Sequence, residues 1–334
     1  MDIKIFIILI LMFFLFKKIF KSLVTKHYNL HQKLVGTESI PLIGGLILIS
    51  ILAINISLIG EITILFSFII FFLGILSDIN FVKSPKKRLI FQIIFIVFFL
   101  HLSNLDILDL RSNFLNEIFL NDYIKIIFLS FCFLVLINGS NFIDGLNGLN
   151  LGYFFLIFFF VLILYLDNQI IIDDSKILLT IYTVTFLFIL NFFNYLYLGD
   201  SGAYLLGFIS GILFLEINYL NQHISPYFIA LLLWYPSFEN FFSILRKIIK
   251  KIDPIKPDNN HLHQLIFNFY KKQNFKYKKY SNQISSLTIL FYNFIVFYLS
   301  INFFSKTKVM ILLIIINIFV YISVYLLLKK LQKS

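Results

Sequence analysis

The chain has 334 residues, of which 60% are hydrophobic and 13% charged, with 44 phenylalanines and a mean hydropathy of +0.91. Soluble globular proteins run at roughly 45–50% apolar and about 25% charged, so the composition excludes a soluble enzyme, and 13 Gly and 6 Pro exclude collagen-like and low-complexity disordered classes. A net charge of +11 would suggest nucleic acid in a soluble chain, but in an apolar one it asks which side of a membrane carries the bases.

A bilayer core of roughly 30 Å needs about 17–25 apolar residues per helix. The first such stretch is 3–20. Its apolar run from Ile3 to Phe16 precedes Lys17, Lys18 and Lys21, the reverse of a cleavable signal, so it reads as a retained helix. Spans follow at 41–59, 62–76, 89–103, 123–137, 151–166, 177–192, 204–220, 227–245, 286–303 and 309–328, about eleven transmembrane helices in one all-α, polytopic domain over 1–334. Cys132 lies inside the fifth span, where a packed core thiol is expected. With eleven spans, 22 of the 28 basic residues fall in one set of connections. The positive-inside rule makes that side cytoplasmic, with the N-terminus outside and the C-terminus inside.

Polar residues gather in four connections on that side, 77–88, 138–150, 194–203 and 246–285. The first runs from Gly74-Ile-Leu-Ser-Asp78 to Lys83-Ser-Pro-Lys-Lys-Arg88, and the second is Asn138-Gly-Ser-Asn141-Phe-Ile-Asp144-Gly-Leu-Asn147-Gly148. The third is Tyr197-Leu-Gly-Asp200-Ser-Gly202, and the fourth holds Pro257-Asp-Asn-Asn-His261-Leu-His263-Gln264. An ionisable residue at membrane depth costs about 2.5–3.5 kcal/mol on insertion scales. One Asp in a Gly-bearing turn is as readily a helix cap. Three on one face, Asp78, Asp144 and Asp200, point to a shared cation. Oxygen donors such as Asp200, Asp144 and Asn141 suit Mg²⁺, with Mn²⁺ as an alternative. Zinc wants Cys or His, and His261 and His263 have no thiol near them in sequence. Lys86, Lys87 and Arg88 mark topology and are compatible with a phosphate partner. Carboxylates, a hard cation and bases at a membrane surface suggest phosphoryl chemistry. Within the spans, Glu239 is a candidate functional acid or a structural partner of Arg246 or a backbone group, and Glu216 reads as structural. The basic, aromatic 270–280 segment reads as a lipid-facing surface.

These motifs, in this order, resemble the polyprenyl-phosphate N-acetylhexosamine-1-phosphate transferase superfamily, glycosyltransferase family 4. The resemblance runs from Pro41-Leu-Ile-Gly-Gly45 to the His261 loop and is most specific at Asn141–Gly148 and Leu198–Gly202. It implies an enzyme that moves a sugar 1-phosphate from a UDP-N-acetylhexosamine to undecaprenyl phosphate, releasing UMP. Such a Mg-dependent phosphoglycosyl transferase sits in the bacterial inner membrane with its active site facing the cytoplasm, and it starts lipid-linked glycans for lipopolysaccharide or cell-wall biogenesis. Residue by residue, Asp200 and Asn141 would be metal ligands, and Asp78 and Asp144 catalytic. Asn147, Tyr197, His261 and His263 would bind the nucleotide-sugar, and Lys87 and Arg88 phosphate. His31 matches a stretch without an assigned role. Ser77 replaces the first acid of the family's Asp-Asp pair, Asn147 the second Asp of Asp-Gly-x-Asp-Gly, and Gln264 a further His. The triple-His-Phe-Glu tract of phospho-MurNAc-pentapeptide transferase is absent, which favours the O-antigen and teichoic-acid initiating branch. The lipid bilayer is an expected partner, nucleic acid is not, and a homodimer is an open alternative. Rival readings are an inactive homologue serving as a membrane scaffold, prompted by Ser77 and Asn147, or a transporter, which would put its acids near the midplane and show inverted repeats.

Overall fold

A computed structural model of the chain describes residues 2–19, 40–103, 105–107, 109–251, 253, 260–272 and 278–333. His31 and the Pro257–Asn259 part of the fourth loop lie outside the described residues, as does 273–277 of the basic aromatic segment. Among the described residues the chain is helical, with a single parallel bridge between Leu42 and Tyr197. In order the helices are α1 (Asp2–Ile19), α2 (Gly44–Ile54), α3 (Ile56–Ile59), α4 (Glu61–Asp78), α5 (Pro85–Ser103), α6 (Asn113–Ile118), α7 (Asp122–Ile143) and α8 (Leu149–Leu166). There follow α9 (Asp174–Phe192), α10 (Gly199–Leu220), α11 (Pro226–Leu232), α12 (Trp234–Ile249), α13 (Leu262–Lys272), α14 (Ser281–Ile301) and α15 (Thr307–Lys333).

A helix stands at each of the eleven expected spans. Among the described residues seven are long and apolar enough to cross a membrane, namely α4, α7, α8, α9, α10, α14 and α15, and the bent pair α11–α12 makes an eighth if it is one span. This is a multi-pass membrane protein. Its outer surface carries the side chains that lipid would cover, among them Phe72, Phe291, Leu312 and Phe319, all exposed. Cys132 belongs with them. It is exposed rather than packed, because the buried stripe of α7 runs through Leu129, Ser130, Phe133, Leu136 and Ile137.

The centre of the bundle is α10. It packs on α2, α4 and α7, and its small residues Gly202, Ala203, Gly207, Ser210 and Gly211 are what let neighbouring backbones come close. The tightest approach is to α4, where a Cβ added at Gly74 would stand 2.2 Å from Ser201 Cα. Only a glycine fits there.

The span expected at 227–245 is broken, α11 and α12 meeting at 72°. Pro236 supplies the cause. In a continuous helix its ring would meet the Leu232 carbonyl, and it has no N–H to give that oxygen. The Tyr153 hydroxyl of α8 donates to Leu232 O instead, at 2.7 Å, and accepts the Tyr235 N–H at 3.3 Å. The bend aims α12 across the end of α7, on which it packs.

Side-chain caps and ion pairs hold the far end of the bundle. Asn121 caps α7 and Asp173 caps α9. Lys176 meets both oxygens of Glu216 at 3.0 and 2.9 Å, so Glu216 has a structural partner. The opposite end, where α4, α7, α9 and α12 finish and α5, α8, α10 and α14 begin, carries the polar motifs.

Candidate active site

Three turns converge because each closes one helix and opens the next. Asp78, the last residue of α4, reaches over the start of α10. Its Oδ1 accepts the Asp200 N–H at 2.9 Å and its Oδ2 the Ser201 N–H at 3.1 Å. These are two of the N–H groups that a helix start leaves without an internal partner. Asp78 therefore caps α10 from another helix, and both its oxygens are committed to placing Asp200.

Asp200 sits in the first turn of α10, with its side chain 14% exposed. Its Oδ2 accepts from the Ser77 hydroxyl and from Arg88 Nη1, the latter at 3.1 Å. Arg88 Nη1 also donates to Ser77 Oγ and, at 3.4 Å, to the Tyr204 hydroxyl. Ser77 is thus built into the cluster as a hydrogen-bond bridge. Lys87 is exposed.

Asp144 follows the last turn of α7. Burial pushes its carboxyl well above the usual carboxylate range, and the negative charges of Asp200 and then Asp78 add to that, while a hydrogen bond to Asn150 opposes it. The three carboxylates therefore feel one another at one end of the bundle.

A fourth group closes over this loop from α12 and α13. Glu239, 0% exposed, accepts from His261 Nδ1 at 2.9 Å and from the Leu262 N–H at 3.2 Å. The His261 ring stacks on His263, with centroids 5.6 Å apart, and lies 5.3 Å from Phe142. His263 presses on the Asp144 turn itself, since a Cβ at Gly145 would stand 2.5 Å from its Nε2. Glu239 thus partners the histidine segment rather than Arg246. Arg246 instead donates to the Asn260 carbonyl and, at 3.1 Å, to the Tyr325 hydroxyl, anchoring the same segment to α15.

Asn147 and Tyr197 hold the connections in register. Asn147 donates its N–H to Asn282 Oδ1 at 2.8 Å and its carboxamide to Asn194, while its carbonyl accepts from Ser286 at 2.8 Å. Tyr197 is buried, and its backbone pairs with Pro41 O at 2.9 Å and the Gly44 N–H at 3.0 Å, tying the Pro41–Gly45 motif to the third turn. Sequence reasoning left Glu239 open between two roles and did not name Tyr204 or Asn194. A buried acid two turns before a basic helix end was a usable signal for the first. For the other two there was none.

A divalent cation would find hard oxygen donors here. Asp200 Oδ1 and the Asn141 carboxamide accept no hydrogen bond from the described residues, Asp144 feels the charge of Asp200, and the Asp144 N–H donates to the Asn141 carbonyl at 3.3 Å. Among the described residues no three His, Cys, Asp or Glu side chains stand close enough to hold a metal alone. Mg²⁺ takes one or two carboxylates and completes its shell with water and substrate phosphate, so it does not require such a cluster.

The sequence model of glycosyl transferase family 4 matches residues 61–218, which include Asp78, Lys87, Arg88, Asn141, Asp144, Asn147, Tyr197 and Asp200 but not Glu239, His261 or His263. A Bacillus subtilis (strain 168) protein, described as a probable undecaprenyl-phosphate N-acetylglucosaminyl 1-phosphate transferase, is 26% identical over 214 residues. That similarity covers 61% of this chain and spans 57% of the relative's own length.

Proposed function

We propose that the chain transfers an N-acetylhexosamine 1-phosphate from a UDP-sugar to a polyprenyl phosphate, releasing UMP, a reading supported by the match of residues 61–218 to the glycosyl transferase family 4 model. The observation that carries this reading is the convergence of Asp78, Asp144 and Asp200, with Arg88, at one end of the bundle. The relative's description supports undecaprenyl phosphate as acceptor and N-acetylglucosamine as the sugar.

Each residue then has a task set by its surroundings. Asp78 fixes the start of α10 and so the direction of Asp200. Arg88 and the exposed Lys87 meet phosphate oxygens. Asp144, whose oxygens are not spent on a helix cap, positions the attacking lipid phosphate or takes its remaining proton. That monoester is mostly ionised at neutral pH, with a second pKa of ~6, so the demand is for alignment more than for a strong base. Mg²⁺, or Mn²⁺, held by Asp200 and Asn141 would supply charge neutralisation at the pyrophosphate. The Glu239-held histidines close the nucleotide-sugar side, and Asn147 keeps the loop beneath it in place. In the membrane this end faces the cytoplasm, where UDP-sugars are made, and the product starts a lipid-linked envelope glycan of the O-antigen or teichoic-acid type.

The test is a donor panel on purified protein in nanodiscs. UMP release that requires undecaprenyl phosphate, occurs with one or more UDP-N-acetylhexosamines and stops on chelation is expected. Silence across the panel would contradict the reading and leave an inactive scaffold.

A further inference from the structure

Asp200 is already met by a cation from its own chain. Arg88 reaches it from the first turn of α5, and the same guanidinium nitrogen holds Ser77, whose hydroxyl donates to the same carboxylate oxygen. One nitrogen, one hydroxyl and one oxygen close a ring of hydrogen bonds, with the Tyr204 hydroxyl behind it. Lys83, Lys86 and Lys87, the other bases of that connection, are exposed. Asp78 is spent on the α10 cap, so Arg88 is the charge that offsets Asp200 directly.

We propose that Arg88 is the resident counter-ion of Asp200, standing where a divalent cation binds, and that Asp200 exchanges the one for the other, freeing the guanidinium for an oxygen of a substrate phosphate. The proposal rests on the reading of this site as one for a cation and phosphate substrates. It follows from occupancy and charge. Oδ2 has two lone-pair directions, and Ser77 and Arg88 already use them, so a cation entering at the open Oδ1 can draw on Oδ2 only by displacing one of them. A dication at the same carboxylate also repels a guanidinium that is only partly solvated. An arginine set loose at that moment is well suited to phosphate, because its planar fork matches two oxygens at once. The serine at position 77 belongs to the same device. An acid there would give Arg88 a second carboxylate and tighten its hold, whereas a hydroxyl guides it without adding charge.

The experiment is Mn²⁺ binding, read by electron paramagnetic resonance, on the full chain in nanodiscs without substrates. Arg88→Gln is expected to bind Mn²⁺ on the order of tenfold more tightly than wild type, the scale of one competing charge-assisted hydrogen bond, and Asp200→Asn to lose the site. Without cation, Arg88→Gln should melt below wild type, and saturating Mn²⁺ should narrow the gap. Unchanged or weaker Mn²⁺ binding by Arg88→Gln, with Asp200→Asn still losing the site, would overturn the exchange and leave the reading of the site standing. Wild-type binding by Asp200→Asn would overturn the metal assignment itself. Should Arg88→Gln not survive purification, Arg88→Lys carries the comparison. It retains the charge without the fork, so affinity above wild type supports the exchange, and equal or lower affinity overturns it.

Discussion

Asp200→Asn is expected to slow sugar-phosphate transfer by at least about a hundredfold, the scale on which a preorganised charge acts at a phosphoryl centre, while the protein stays folded. The fold should survive because the start of α10 is held by Asp78 through the backbone N–H groups of residues 200 and 201, which the substitution leaves alone. An asparagine oxygen can still accept from Ser77 and Arg88. What is lost is one unit of negative charge beside Asp144, and with it the attraction for a cation. UMP release and thermal unfolding, measured on the same preparation, separate the two effects. Near-normal release in a folded variant would show that Asp200 is not the principal ligand.

Gly74→Ala is expected to damage the same reaction from outside the site. Its Cβ would lie 2.2 Å from Ser201 Cα and 2.6 Å from Ser201 N, both backbone atoms that no rotamer change can move aside. The helices α4 and α10 would have to part by roughly 1 Å to restore ordinary contact, at a cost of about 1–3 kcal/mol for overpacking. The strain falls next to Asp200 and three residues before Ser77, so it also shifts the carboxylate against Arg88. A displacement of ~1 Å at a reacting centre is worth about a hundredfold in rate. Both a lowered melting temperature and a slowed transfer, the latter measured well below the melt, are therefore expected. Wild-type values for both would mean that α4 and α10 do not meet as described.

Much of this arrangement was legible in the sequence because it depends on periodicity and on turn chemistry. Helices stand at all eleven apolar runs, and Asp78, Asp144 and Asp200 fall at one end of the bundle because each lies between an apolar run that ends and one that begins. The partners of those residues were not legible. That Asp78 spends both oxygens on the backbone of residues 200 and 201 depends on how closely α4 and α10 approach, which is a tertiary fact set by Gly74. The pairing of Arg88 with Asp200 is of the same kind. Glu239 could be recognised as a costly acid, but its choice of His261 over Arg246 follows from the bend at Leu233. Pro236 announced that bend, and its consequence was missed because the surrounding hydropathy reads as one continuous span. Cys132 was misplaced for a related reason. Hydropathy locates a membrane helix without telling its lipid-facing side from its packed side.

In the proposed reaction the bond broken in the donor lies between its two phosphates, so that the sugar leaves with its own phosphate. UDP-N-acetylglucosamine labelled with ³²P at the β-phosphate tests this most directly, using purified wild-type protein and undecaprenyl phosphate in nanodiscs. Label is expected to pass into the lipid fraction in step with UMP release. Sugar appearing on the lipid while the label remains in UDP would contradict it.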